Sequence, residues 1–513
     1  MQRKAVDTDY IAVIDFGTSS GRCLFIDTSG RVIGRENTQW DFCPKYIDRT
    51  VHASFDMNQA CRLIFQCCRQ TFENSGVDPE NIACVIATSQ RHGAVLLDSA
   101  GESLMAFSNA DERSTPRWRE IIARDPEAIY RTTGRWPQDI FLPAHLSWLE
   151  CNLPEVYRQV AKLLGIQDWM IYRLSGELCT EATIATDLLL FDILKNHWSE
   201  DLLELFNVAP SWLPPVVEAG QKVGVVSKAV SSMTGFLQGT PVLNGGADSQ
   251  MAVLGLGAIQ TSDLAVAFGS SAPLLLVMEK PLFHYQARTW TDRQLSNGGW
   301  LLESNAGDAG LCLSQFRDHF LPQFHASVDN SEDGILSSLN HLDNLVSLQG
   351  EDQSRLSASF GPVVFDGRNW PKSTGVVKGV NLLSNGRLNV MQIYRSLVHN
   401  IGYAILGNLK QLEATVQEEI AEVRVGGPAM ESPLWPEFLA NVLGRPVQIP
   451  DEKEATSMGA AALSAWAMGH YPTLTAAVQE MVRLNKVQPN QDLVPTYQKK
   501  YEEWLQVYEF SIR

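Results

Sequence analysis

One pattern, met twice, constrains this chain more than any other feature. Residues 13–26 read V-I-D-F-G-T-S-S-G-R-C-L-F-I, and residues 264–277 read L-A-V-A-F-G-S-S-A-P-L-L-L-V. Each is a pair of apolar, strand-length runs around a glycine turn, the signature of a β-hairpin. The echo of Phe16-Gly17-Thr18-Ser19 in Phe268-Gly269-Ser270-Ser271, half a chain away, predicts a duplicated domain. The copies differ at one telling place: Asp15 stands before the first turn, and Ala267 holds the matching position in the second.

Backbone N–H groups and hydroxyls in a glycine turn make a concave anion site, and a nearby carboxylate can hold a divalent cation, often through water. The first hairpin, with Asp15, Thr18, Ser19, Ser20 and Arg22, suits metal and phosphate; the second, with Gly269, Ser270 and Ser271, suits phosphate alone. An ordinary turn accounts for the same residue types, since Gly, Asp, Ser and Thr are the usual turn formers.

The 513 residues exceed one ordinary core and call for two large domains or more. The 58 acidic and 41 basic residues give a net charge of −17, which disfavours nucleic acid and anionic membrane as partners. The first ten residues are polar, and no apolar run is long enough to span a bilayer, so a cytoplasmic location is expected. The nine cysteines include Cys61, Cys67 and Cys68 but no paired C-x-x-C spacing, and read as reduced, mostly buried thiols.

Strand-like runs at 11–14, 23–26, 31–34 and 83–87 mix with helical stretches at 57–74 and 154–174, an α/β pattern. A strand at 241–243 leads into Gly245-Gly246-Ala247-Asp248 and a short helix to about residue 256. Gly255-Leu256-Gly257-Ala258 is the expected boundary, dividing the chain into domains 1–256 and 257–513. The second half repeats the mixture: a long helix over 390–416, a strand at 422–425 entering Gly426-Gly427-Pro428-Ala429, helices over 435–443 and 455–469, and an amphipathic terminal helix over 496–513. Residues 324–358 read as surface helix and loop.

Besides the hairpins, three groups can carry chemistry: Asp248 after its glycine turn; Gln90, Arg91 and His92 with Asn109, Asp111 and Arg113; and Gly426, Gly427 and Ala429. Each also has a plain structural reading. Asp248 can cap its helix, the second group can be a structural hydrogen-bond network, and the third a strand-to-helix turn. The third lacks both the Walker ending and the G-x-G-x-x-G spacing.

Taken together and in order, these segments resemble the FGGY family of carbohydrate kinases, of the actin-like ATPase superfamily. Residues 12–27 look like the family's D-x-G-T-[ST] motif, Gly269-Ser270-Ser271 like G-T-S, and Gly245-Gly246-Ala247-Asp248 like G-G-G-D. Residues 365–371, F-D-G-R-N-W-P, are similar to G-E-R-x-P, and 395–403, R-S-L-V-H-N-I-G-Y, to R-A-x-x-E-G-x-x-Y. Gly427-Pro428-Ala429 matches the glycine run at the adenosine site, and 454–461 matches E-x-x-x-x-G-A-A. Ala247, His399-Asn400 and Pro428-Ala429 depart from the family pattern without removing a group essential to phosphoryl transfer.

The resemblance implies an α/β fold of two actin-like ATPase (ribonuclease H-like) domains with a central cleft, ATP and Mg²⁺ as cofactors, and a small sugar as partner. It assigns Asp248 as catalytic base and, with Asp15, as a metal-facing carboxylate. Thr18, Ser19, Ser20, Arg22, Gly269, Ser270 and Ser271 would meet the phosphates, and Gly426, Gly427 and Ala429 the adenosine. Gln90, Arg91, His92, Asn109, Asp111 and Asp248 would meet the sugar. Residues 89–98, S-Q-R-H-G-A-V-L-L-D, resemble xylulokinases, whereas N-x-D-x-R at 109–113 and Ser54-Phe55-Asp56 resemble the autoinducer-2 kinases of the family. D-xylulose is the first expectation and the autoinducer-2 type the alternative. The different-class alternative is a non-catalytic actin-like scaffold. A homodimer is left open as the assembly.

Overall fold

The computed structural model describes residues 9–18, 20–40, 45–47, 50–53, 56–295, 298–320, 343, 356–369, 375–380 and 390–512. The chain forms two compact units, one of Met1–Ile259, Thr291–Trp300 and Glu454–Arg483, the other of Gln260–Trp290, Leu301–Lys453 and Leu484–Arg513. They are therefore not the two continuous stretches 1–256 and 257–513.

In the first unit, β1 (Tyr10–Phe16), β2 (Ser20–Asp27) and β3 (Val32–Gln39) form an antiparallel meander. β1 also pairs in parallel with the strand Ile82–Ser89, which pairs in parallel with Pro241–Ala247. Lys222–Val225 closes that edge antiparallel. The central strands are near-continuous apolar runs because both their faces are covered. Helix α1 (Met57–Ser75), capped by Asp56 and ended by left-handed Gly76, buries Ala60, Ile64, Phe65 and Phe72 in the first unit's core. The stretch 154–174 is not one helix: Lys162–Gly165 is a strand paired with Ala94–Leu97, between the helices Pro154–Tyr157 and Ile166–Ser175. Its Leu163 and Leu164 are fully buried, so sheet pairing overrides a modest helical period.

A helix from the far end of the sequence, Ala455–Ala467, crosses the helix Asp248–Gly255. The crossing needs two glycines. A Cβ on Gly255 would fall 1.7 Å from the Ala455 carbonyl oxygen, and one on Gly459 would fall 1.8 Å from that of Met251. This close approach is why Glu454–Arg483 belongs to the first unit.

The second unit repeats the sheet. Leu264–Ala267 pairs antiparallel with Pro273–Met278 and in parallel with Val423–Gly426, which pairs in parallel with Val447–Pro450 and then, across that strand, antiparallel pairing reaches Leu484–Val487. Strand Trp300–Asn305 lies beyond Pro273–Met278. The hairpin, the parallel neighbours and the antiparallel edge follow the same spatial order as in the first unit. The helix Val390–Val416 packs its apolar face into this unit's core, and the terminal helix is Val494–Ser511. Most of 324–358 lies outside the described residues, as do Ser19, Ser54, Phe55, Trp370 and Pro371. The eight described cysteines are free thiols, all but Cys151 buried. Among the described residues no helix is long and apolar enough to cross a membrane.

Candidate active site

The β1–β2 register sets Asp15 opposite Arg22. Arg22 Nε lies 3.5 Å from Asp15 Oδ2, and its Nη1 pairs with Glu454. Arg22, expected at phosphate, thus already bridges two carboxylates. Burial raises the Asp15 pKa; Arg22 opposes the shift and Glu454 adds to it. The turn itself is closed by a hydrogen bond from Gly17 N to Ser20 O at 2.9 Å, and Trp40 Nε1 donates to Thr18 O at 3.1 Å.

The parallel register Phe16↔Ser89 brings the end of Ile82–Ser89 beside that turn. Gln90 N donates to Phe16 O at 2.9 Å, and the Thr18 hydroxyl lies 3.0 Å from Gln90 Oε1 and 3.1 Å from Asn109 Oδ1. With one proton, that hydroxyl serves the two acceptors in turn. Thr18, expected at phosphate, and Gln90 and Asn109, expected at the sugar, therefore form one contiguous group. Gln90, Arg91 and His92 are all buried. His92 has φ +64°, a left-handed backbone few non-glycine residues adopt.

Asp111 is differently engaged. Fully buried, it accepts from Ala53 N and Arg113 N at 3.0 Å each, and Arg113 Nη2 lies 2.7 Å away. Its carboxylate closes a loop.

Asp248 follows the strand Pro241–Ala247, whose register pairs Ala247 with Ser89. It opens its helix without capping it: Ala247 is the cap residue, and Asp248 Oδ1 accepts from Ser249 N at 2.6 Å. Burial pushes the Asp248 pKa up to about 7, with Arg91 opposing and Asp15 adding. Behind it, Glu181 accepts from Thr183 N at 2.7 Å, and Thr183 Oγ1 accepts from Ala247 N at 3.0 Å, which fixes the residue before Asp248. A carboxylate whose ionisation is opposed by a second one, as that of Asp248 is by Asp15, fits a divalent cation. Mg²⁺ takes one or two carboxylates and completes its shell with water and phosphate oxygens.

In the second unit the corresponding turn is closed by Gly269 N donating to Ser271 O at 2.9 Å, with Gly269 and Ser270 exposed. Gly427 lies against it at φ +124°, and a Cβ there would fall 2.0 Å from Phe268 O. Only glycine lets Gly426-Gly427 pass so close to the hairpin. Pro428–Glu431 then form a short 3₁₀ turn with Ala429 partly exposed.

Sequence reasoning left five residues of the first unit without a role: Arg135, Glu181, Asp187, Asp292 and Glu454. Glu454 had a signal, since it begins the E-x-x-x-x-G-A-A segment. Arg135, Asp187 and Asp292 are single polar residues whose partners are distant in sequence, and Glu181, whose Thr183 partner is local, belongs to no motif.

Two repeated sheets, each with a glycine hairpin and a parallel neighbour, define the actin-like ATPase type of fold. Solved structures agree: a xylulose kinase from Lactobacillus acidophilus superimposes with a TM-score of 0.82 at 18% identity, covering 98% of both chains. A glycerol kinase from Plasmodium falciparum does so with 0.80 at 19%, covering 99% of both. Residues 10–255 match the N-terminal domain, and 265–468 the C-terminal domain, of the FGGY family of carbohydrate kinases. The chain belongs to that family. Its curated relatives include the autoinducer-2 kinase of Yersinia enterocolitica, 29% identical over 98% of this chain and 94% of the relative, and that of Escherichia coli K12, 28% identical over the same shares. It is an ATP-dependent sugar kinase, of a family that uses ATP and Mg²⁺.

Proposed function

We propose that the protein transfers the γ-phosphoryl group of ATP to a hydroxyl of a short, open-chain polyhydroxy ketone. The observation that carries this reading is the grouping of Gln90, Arg91 and His92, all buried, beside the hairpin turn that holds Thr18, with Arg91 and Asp15 both acting on Asp248. A sugar hydroxyl both donates and accepts, and this group offers an amide, a guanidinium and an imidazole to meet such hydroxyls. Asp248 accepts the hydroxyl proton as the bond to phosphorus forms; a base with a pKa near 7 is matched to neutral pH. Mg²⁺, when bound, offsets charge on the phosphate oxygens. Asp15 and Asp248 are the carboxylates that would hold it, and Thr18, Ser20, Ser270, Ser271 and the backbone of both turns would orient the phosphates. Gly426, Gly427 and Ala429 would take the adenosine.

Two acceptors remain in contention. The Gln90-x-His92 pair favours D-xylulose. The N-x-D-x-R segment and full-length similarity to autoinducer-2 kinases favour the linear precursor of autoinducer-2. The buried Asp111–Arg113 pairing gives that segment a structural part and weakens it as a guide to the sugar. A side-by-side kcat/KM comparison of D-xylulose, the linear autoinducer-2 precursor, glycerol and a hexose tests the proposal. One of the first two should lead, and ATP turnover without a sugar should be small. Preference for glycerol or the hexose would overturn the acceptor class, and sugar-independent turnover would overturn the kinase assignment of these residues.

A further inference from the structure

Behind Arg91 and His92 lies an ion network with no part in the chemistry above. Arg135 is fully buried, and its Nη2 lies 3.0 Å from Asp187 Oδ1 and 2.7 Å from Asp292 Oδ1. The same Asp187 oxygen is 3.4 Å from His92 Nδ1, and Asp292 Oδ2 is 3.9 Å from Arg91 Nη1. One guanidinium therefore ties two carboxylates together, and each carboxylate reaches one of two adjacent residues.

The three members come from distant places in the sequence. Arg135 follows the helix Pro126–Thr133, Asp187 ends the helix Ala182–Asp187, and Asp292 arrives on Thr291–Trp300, a segment that returns to the first unit. The return is clasped by the backbone. Thr291 N donates to Gly134 O at 3.1 Å, and a Cβ on Gly134 would fall 2.0 Å from Thr291 O. Arg293 Nε donates to Ile193 O at 2.8 Å.

Stability is a poor reason for such a network. Buried ion pairs seldom outdo well-packed apolar residues of the same volume, because both charges lose their water. One use such a network can have is geometric: a carboxylate behind an imidazole or guanidinium fixes how that group faces forward. The left-handed backbone of His92 makes the same point, since strain of this kind persists only where surroundings over-determine it.

We propose that Arg135, Asp187 and Asp292 are positioning residues of the acceptor site. Asp292 aims the Arg91 guanidinium, Asp187 turns the His92 imidazole, and Arg135 sets the spacing between the two carboxylates. This rests on the reading that Arg91 and His92 meet the acceptor.

The test uses the full-length enzyme with ATP and whichever of D-xylulose and the linear autoinducer-2 precursor it phosphorylates better. Asp292→Asn, Asp187→Asn and Arg135→Lys should each raise the acceptor KM by ~10-fold or more while the ATP KM changes by less than about twofold. Asp292→Asn combined with Arg91→Lys should be no worse than the poorer single variant, because the carboxylate acts through Arg91. Asp292→Glu, which keeps the charge but displaces it, should show the same acceptor-specific loss and serves if the Asn variant does not fold. A fall in melting temperature with an unchanged acceptor KM in the folded variants would overturn the proposal and leave the network structural. Multiplicative losses in the double variant would also overturn it. If Arg91→Lys and His92→Ala themselves leave the acceptor KM unchanged, or neither acceptor reacts, the underlying reading falls and the proposal with it. If those two variants lose acceptor affinity and the network variants do not, only the proposal falls.

Discussion

The two hairpins share a backbone plan and differ in what surrounds it. Both turns are closed by a glycine N–H on a serine carbonyl, and both follow a strand with a parallel neighbour. Around the first stand Asp15, Arg22 and Glu454, with Asp248 close enough to feel Asp15; the second has Ala267 in the place of Asp15 and an exposed Gly269-Ser270. The topology is shared, while the Asp15–Arg22–Glu454 ion group belongs to the first turn. A glycine turn supplies N–H donors wherever it occurs, whereas acid–base and metal chemistry needs carboxylates desolvated together.

The comparison breaks most visibly at Asp248. Asp248→Asn should preserve the fold and, measured at saturating Mg²⁺ and ATP, lower kcat by at least ~10²-fold, the usual scale of positioned proton transfer. Steady-state kinetics with a melting curve decides it, and near-normal kcat would remove Asp248 as the base. Next in size is Asp15→Ala, expected to raise the Mg²⁺ concentration for half-maximal rate by ~10-fold. Ser271→Ala should leave that titration unmoved; superimposable curves for all three proteins would erase the asymmetry between the turns.

The backbone of the second turn is probed by Gly427→Ala. The new methyl meets Phe268 O in a left-handed conformation, a strain of ~1–3 kcal/mol. It should appear as a lower melting temperature and a higher ATP KM, with the acceptor KM unchanged. Ser271→Ala removes one hydroxyl, worth about 1 kcal/mol, and should raise the ATP KM ~5-fold. The smallest effect concerns pH. Asp248 works as a base only when ionised, and burial holds its pKa at about 7, so kcat/KM should fall as pH drops through about 7. Asp15 pushes that pKa up, so Asp15→Asn should move the acid limb to lower pH. A limb that stays put would mean the two carboxylates do not interact.

Much of this was legible in the chain. Alternating and continuous apolar runs marked the sheet strands around both turns, and the strand–glycine–Asp248–helix passage came out as Pro241–Ala247 followed by Asp248–Gly255. The strand Lys162–Gly165 was missed, because a short apolar run inside a helical period gives no local sign that a sheet partner exists.

By itself, the sequence determined the duplicated α/β plan, the two glycine turns, the family, and the place of Asp248 at a strand end, since each is written in contiguous residues with a local period. Tertiary structure alone decided that Thr291–Trp300 and Glu454–Arg483 fold into the first unit, that Arg22 is held by Glu454, that Asp111 closes a loop with Arg113, and that Arg135 gathers Asp187 and Asp292. For the Glu454 and Arg135 ion pairs the physical reason is the same. A buried charge requires a partner, but nothing in its neighbouring residues specifies which distant one the fold will deliver.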